Sequence, residues 1–213
     1  MGGPIGATSG TFILIGATLV LSGRVDDKTV RVAIAPGAWT TAISPALSDW
    51  IKARHGSSDL KIHLRAETIH AQIATVEAQP SEGAQIRLGQ DVLGENPIEI
   101  DFAHHALRPL SASEATHFER RAKPIALRHA PDGSLSVALA AGSGAPVRAV
   151  LDLSRATGVV MPGLAAERAV TVGGVVLANA EVRDGPKPII GLYAFRHVRV
   201  IFDLGHDRIW VHR

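Results

Sequence analysis

The chain of 213 residues has no cysteine, which excludes disulfide bonds and cysteine-ligated zinc. Aromatic residues make up only 4% of it, so a packed interior has to be mainly aliphatic. Runs of lysine or arginine are also missing, and the formal net charge is only +2. A scattered charge of this kind argues against nucleic-acid binding. What is present is a hydrophobic fraction of 46%, ample for a core rich in strands.

The N-terminal stretch 12–21 is apolar but too short to span a bilayer. No lysine or arginine precedes it, the first cation being Arg24, which argues against a signal peptide. We interpret it as a buried strand that leads into a hairpin of residues 17–23 and 28–35. Residues 1–10 are expected to be a flexible leader. The compartment stays open: periplasmic or secreted if a signal was removed there, otherwise cytoplasmic.

Two blocks of the sequence occur twice, in the same order. Residues 31–47 align without a gap on residues 148–164, and residues 88–107 align without a gap on residues 190–209. Two such blocks in each half predict a duplicated unit of about a hundred residues, the size of a small lobe. The aligned pairs in the first block are Ala35 with Asp152, Gly37 with Ser154, Thr40 with Thr157, Ile43 with Val160 and Pro45 with Pro162.

These blocks carry a family resemblance. A hairpin, an apolar strand ending near a proline, a hydrophobic-hydrophobic-glycine triplet and a closing Asp-Phe or Asp-Leu hairpin resemble the retropepsin-like and pepsin-like aspartic proteases. Residues 188–211 are similar to the family's C-terminal block. The resemblance implies an all-β fold with two pepsin-like (tandem retropepsin-like) β-barrel lobes and a few short helices. It implies a leader at 1–10, an N-terminal lobe at 11–110, a linker helix at 111–122 and a C-terminal lobe at 123–213.

The family's activity depends on an Asp-Thr/Ser-Gly triplet in each lobe. The resemblance implies that two carboxylates share one proton, one activating water while the other polarises the scissile carbonyl. Here the first triplet is Ala35-Pro36-Gly37 and the second is Asp152-Leu153-Ser154. A lone aspartate cannot be acid and base at once, so we expect no proteolysis by this mechanism. Asp152 also precedes a turn of small residues, where an aspartate is common for structural reasons alone.

Two functions remain as hypotheses, with an active aspartic peptidase as a less favoured third. The first is a pseudoprotease whose inter-lobe cleft binds a peptide, a glycan or a small molecule. The second is an enzyme with glycosidase-like or cyclase-like acid/base chemistry, in which Asp152 acts with a partner such as His63, Glu67 or His70. These residues fall in strands predicted within residues 59–80, where the resemblance places the family's flap. The candidate catalytic residue is Asp152, and the candidate ligand contacts are Ala35, Gly37, Trp39, Thr40, His63, Glu67, His70, Ser154 and Arg155.

Several of these residues have alternatives that the sequence leaves open. Trp39 can line a pocket or pack in the core. Arg155 can neutralise Asp152, bind an acidic ligand or be solvated. Asp91 is more consistent with a helix start than with catalysis. The ten histidines lack the spacing of a helical metal pair, so no metal and no cofactor is expected.

Overall fold

The computed structural model describes residues 10–16, 18–56, 59–64, 67–72, 75–78, 80, 83–95, 97–120, 122–130, 134–163 and 169–212, with the backbone alone for residues 10, 59, 67, 72, 112 and 178. The predicted leader therefore lies outside the described residues except for Gly10, as does the Glu67 side chain.

The first half of the chain contains ten strands and two helices within the described residues. The strands are β1 (Gly10–Ile15), β2 (Thr18–Val25), β3 (Lys28–Ile34), β4 (Ala42–Ile43), β5 (Asp59–Leu64), β6 (Glu67–Gln72), β7 (Thr75–Val76), β8 (Ile86–Leu88), β9 (Ile98–Asp101) and β10 (Ala106–Pro109), and the helices are α1 (Pro45–His55) and α2 (Gln90–Leu93).

The second half begins with α3 (Ala112–Glu119) and continues with eleven described strands and two short 3-10 helices. The strands are β11 (Ile125–Ala126), β12 (Arg128–His129), β13 (Leu135–Ala141), β14 (Val147–Asp152), β15 (Val159–Val160), β16 (Ala169–Val172), β17 (Val175–Ala178), β18 (Val182–Arg183), β19 (Ile189–Gly191), β20 (Arg199–Asp203) and β21 (Arg208–His212), and the 3-10 helices are Leu192–Phe195 and Leu204–His206.

Each half builds a sheet with the same strand order. The first lobe, as we call β2–β8, runs β6-β5-β2-β3-β8-β4-β7, and the second lobe, β12–β19, runs β17-β16-β13-β14-β19-β15-β18 with β12 beside β13. The register repeats as well: Ile34 pairs with Leu88 in the first lobe, and their aligned counterparts Leu151 and Ile190 pair in the second. The sequence duplication is therefore a structural duplication.

A six-strand path, β11-β21-β20-β9-β10-β1, contains strands from both halves of the chain and joins the first-lobe sheet through the β1–β2 pair. We call this path the central sheet. Its centre is the antiparallel pair β9 and β20, in which Glu99 lies opposite Ile201. In the sequence alignment these two residues are each other's counterparts. Ile100 lies opposite Val200, the counterpart of Ile98. The register thus places a pseudo-twofold axis between Glu99 and Ile201.

The local predictions are mostly confirmed. The hairpin β2–β3 forms with Asp26 in the left-handed region (φ 51°) at its turn, and three strands lie within residues 59–80. Helix α1 starts with Pro45 and ends at Gly56, whose φ of 64° suits a glycine C-cap. The prediction of a single strand over residues 12–21 is wrong, because a turn at Gly16 (φ 57°) divides this stretch between β1 and β2.

The helix predicted at 111–122 forms as α3 and starts with a capping box. The Ser111 hydroxyl accepts a hydrogen bond from the Glu114 backbone N–H at 3.3 Å, and a Glu114 carboxylate oxygen accepts one from the Ser111 N–H at 2.9 Å. Glu114 also pairs with Arg108 at 2.6 Å. The hydrogen bond from the Ser111 backbone, with those from Arg108 and the Ser111 hydroxyl, lowers the pKa of Glu114 from 4.5 to about 2.

Replacing Glu114 with glutamine is expected to weaken the fold at neutral pH but not at strong acid. A depressed carboxylate pKa contributes stability above its unfolded value near 4.5, and this contribution is lost as the pH falls towards 2. Glutamine keeps the capping-box hydrogen bond and removes the charge. Because the side chain is 38% exposed, we expect a loss of only about 0.5–1 kcal/mol at pH 6 that vanishes near pH 2.

Urea unfolding at a series of pH values measures this effect. The matched control is Glu181→Gln, which removes a carboxylate from an exposed pair with Arg183 and is expected to leave the acid-dependent slope as in the wild type. An equal loss of stability for Glu114→Gln at pH 6 and pH 2 would contradict the assignment.

Candidate functional site

The two degenerate triplets meet at one cavity. We call residues 35–37 the first signature loop and residues 152–154 the second signature loop. The first follows β3 and the second begins with the last residue of β14. They border a cavity of about 270 Å³ between the lobes. The described residues that line it are Thr18, Ile34, Ala35, Gly37, Ala38, Pro80, Arg87, Leu153 and Ser154.

The carboxylate of Asp152 is held by its own turn. One oxygen accepts hydrogen bonds from the Ser154 backbone N–H at 3.2 Å and from the Ser154 hydroxyl at 2.5 Å. The other oxygen lies 2.8 Å from Nε of Arg155. The side chain of Asp152 remains 23% exposed. Asp152 therefore closes the turn and is paired with Arg155, while part of its surface is open to solvent.

The first signature loop is held in place by residues at the start of α2, directly after Gly89. Gln90 donates a side-chain hydrogen bond to the Pro36 carbonyl at 2.8 Å. Asp91 accepts hydrogen bonds from the N–H and the hydroxyl of Thr41, both at 2.8 Å, and from the Val92 N–H at 3.0 Å. Asp91 thus joins the start of α2 to the chain after the loop, as its predicted helix-start role requires.

Arg87 is a cavity residue that the sequence analysis missed. Its guanidinium makes a bidentate pair with Glu77 at 2.7 and 2.8 Å and donates to the carbonyls of Pro80 at 3.1 Å and Thr40 at 3.4 Å. Its counterpart in the second lobe is Ile189, so this cation is specific to the first lobe. The signal was a lone arginine in the apolar strand β8. Thr40, predicted to contact ligand, here supplies its carbonyl to Arg87.

Trp39 lies at the rim, where its side chain is 52% exposed, so the core-packing alternative is wrong. Its ring stacks on His129 of the second lobe, with centroids 5.4 Å apart and planes inclined by 25°. Nε2 of His129 lies 2.5 Å from a carboxylate oxygen of Asp207. Trp39 therefore joins the two lobes beside the cavity.

His63 and His70, two of the proposed partners of Asp152, do not lie at this cavity. His63 pairs with Arg24 near the turn of the β2–β3 hairpin, whereas Leu19 pairs with Ile34 at the end that leads to Ala35. The five-residue separation of Arg24 and Leu19 along β2 corresponds to about 16 Å at ~3.3 Å per residue. His63 lines a separate cavity of about 560 Å³.

His70 lies in a third cavity, of about 340 Å³, with neighbours that include Leu93 and Ser111. The structure thus brings together Ala35, Gly37 and Ser154, with Asp152 and Arg155 beside them, but not His63 or His70. The expectation that these histidines face Asp152 across the cleft has no support in this geometry, and their role in binding stays a prediction.

Among the described residues, no group of three or more histidine, aspartate or glutamate side chains is arranged to hold a metal ion. No helix within them is both long and apolar enough to cross a membrane.

Comparison with known proteins identifies the fold. No family model matches the sequence, and no curated protein matches it. The crystal structure of the aspartic proteinase from Irpex lacteus superposes with a TM-score of 0.60, covering 97% of each chain at 11% sequence identity. Together with the duplicated lobes and the two loops that meet between them, this match shows that the chain has the pepsin-like aspartic proteinase fold.

Proposed function

We propose that this protein is a non-proteolytic form of the pepsin-like fold that binds a ligand in the cavity between its two signature loops. The proposal rests on which residues the two signature loops place at the cavity. The first loop presents Ala35 and Gly37 to the cavity where the family has a carboxylate, and Asp152 is engaged by Ser154 and Arg155.

The shared-proton mechanism needs two carboxylates close together. The described residues that line the cavity carry none. Of the carboxylates beside those residues, Asp152 is paired with Arg155 and Glu77 is paired with Arg87. The alternative of a glycosidase-like or cyclase-like enzyme needs a second acid or base at about 5–9.5 Å from the first. His63 and His70 lie in other cavities, so ligand binding is the function with better support.

The charges around the cavity indicate the chemistry of the ligand. Arg87 is neutralised by its bidentate pair with Glu77, and Asp152 by its pair with Arg155. A charged ligand would have to break one of these pairs, whereas an uncharged ligand meets apolar side chains and the Ser154 hydroxyl. The volume of about 270 Å³ suits a small neutral molecule, or one sugar ring or side chain of a longer ligand.

Asp152→Asn is expected to weaken binding at least about tenfold. The exposed part of the Asp152 carboxylate can accept a hydrogen bond from a neutral ligand, and loss of a charge-assisted hydrogen bond of about 1.5 kcal/mol has that effect. The change leaves an acceptor for the Ser154 N–H, so the turn should persist. Neutral sugars, short uncharged peptides and small polar molecules would be screened by thermal shift, and the affinity of each hit measured by calorimetry.

The matched control is Asp184→Asn. Asp184 accepts a hydrogen bond from the Gly163 N–H at 2.8 Å and is not among the residues that line the cavity. We expect the Asp184→Asn variant to bind each hit with the same affinity as the wild type. If Asp152→Asn binds every hit as tightly as the wild type does, the site lies elsewhere.

A further inference from the structure

Beside the cavity, Trp39, His129 and Asp207 form a contact between the two halves of the chain. Trp39 follows Ala38, which lines the cavity. His129 belongs to β12 of the second lobe, and Asp207 lies in the turn before β21 of the central sheet. In the family, hydroxyl groups cross-link the two signature loops, but Pro36 and Leu153 replace those residues here. Those hydroxyl groups are therefore missing at both positions.

Each member of this contact is fixed by backbone hydrogen bonds. The Trp39 carbonyl accepts from the Asp91 N–H at 3.1 Å, and the Asp207 carbonyl accepts from the Leu127 N–H at 2.7 Å. His129 lies opposite Leu135 in the β12–β13 pair. Because the three side chains project from positioned backbone, the stack and the His129–Asp207 pair define how closely the lobes approach at this rim.

The strength of the contact depends on the charge of His129. A histidine side chain ordinarily changes charge between pH 5 and 8. In the neutral form it stacks on Trp39 and shares one hydrogen bond with Asp207. In the charged form it makes an ion pair with Asp207 and presents a cation to the indole, a combination that attracts more strongly.

Other charged groups lie on the neighbouring strands. Arg128 precedes His129 on β12, and its carbonyl accepts a hydrogen bond from the Ser136 hydroxyl. Arg148 of β14 donates to that same hydroxyl at 3.3 Å. Both guanidinium groups carry the same sign as a charged imidazole, whereas Asp207 carries the opposite sign and is in direct contact with the ring.

We propose that Trp39, His129 and Asp207 form a latch that tightens when His129 is protonated and so closes the rim of the cavity at acid pH. The claim that the latch controls access to the cavity rests on the proposed function. The link that the latch makes between the lobes is measured without a ligand.

Hydrogen–deuterium exchange at pH 5 and pH 8, corrected for intrinsic exchange rates, tests the latch in the full chain. The segments to follow are 37–42 and 127–130. In the wild type, both should exchange roughly threefold more slowly at pH 5 than at pH 8, the change expected of a surface ion pair. In His129→Gln and in Asp207→Asn, the corrected ratio of the exchange rate at pH 8 to the exchange rate at pH 5 should fall to about one.

His105→Gln is the matched control. His105 stacks on Phe12 with centroids 5.5 Å apart, but both residues come from the first half of the chain, so this variant should keep the wild-type ratio. Should His129→Gln fail to fold, Asp207→Asn supplies the same test. A wild-type ratio of one, or a wild-type ratio retained in Asp207→Asn, overturns the latch. Neither result bears on ligand binding, which the Asp152→Asn experiment tests separately.

Discussion

Alanine substitutions at Gly89 and Gly191 are each expected to lower the free energy of unfolding by about 3 kcal/mol, the upper end of the cost of overpacking. A Cβ on Gly89 would lie 2.5–2.9 Å from backbone atoms of Thr40. A Cβ on Gly191 would overlap the carbonyl oxygen and the hydroxyl of Thr157. Since the overlapped atoms are mainly backbone atoms, a change of side-chain rotamer cannot relieve the overlap. Urea unfolding followed by circular dichroism measures both variants.

Gly37→Ala is the control for this pair. Gly37 belongs to the first signature loop, yet no described atom outside its immediate chain neighbours lies within 4 Å of an added Cβ. We expect its stability to stay within about 0.5 kcal/mol of the wild type. If Gly37→Ala were as damaging as Gly191→Ala, or if Gly89→Ala were harmless, the equivalence of the two lobes at these contacts would be refuted.

The fold was predictable from the sequence because its constraints are local and repeated. Thr40 aligns with Thr157, and the glycines at the aligned positions 89 and 191 pack against that threonine, each in its own lobe. Only glycine fits such close approaches. The two glycines therefore stand at aligned positions, although many other aligned residues differ between the halves. The limits of the domains at 11–110 and 123–213 remain predictions, because β1, β9 and β10 pair within the central sheet.

The site was less predictable because its contacts join distant parts of the chain. Arg87 reaches Thr40, 47 positions away, and Trp39 meets His129 only because the lobes dock. His63 was proposed as a cleft residue because the resemblance places the family's flap in this part of the chain. Its distance from the cavity follows from the pairing of β5 with the turn end of β2. Neither the spacing nor the polarity of that segment specifies which end of a hairpin it joins.

The second large effect that we expect is the absence of acid proteolysis, both in the wild type and in the Ala35→Asp variant. A new carboxylate at position 35 would share the cavity with Arg87, while Asp152 stays paired with Arg155. Pro36 would still lack the hydroxyl that links the loops in the family. Each missing acid or base role costs roughly 10²–10⁴-fold in rate. Statine-type inhibitors, whose hydroxyl lies between two carboxylates in the family, should bind poorly to both proteins.

Mass spectrometry of an unstructured peptide library, incubated with wild-type protein and with Asp152→Asn at pH 3.5, 5 and 7, tests the central claim most directly. A non-proteolytic, ligand-binding cleft predicts the same intact peptides with both proteins at every pH. Peptide fragments that form with the wild type and disappear with Asp152→Asn would contradict that claim and show that the remaining aspartate supports proteolysis.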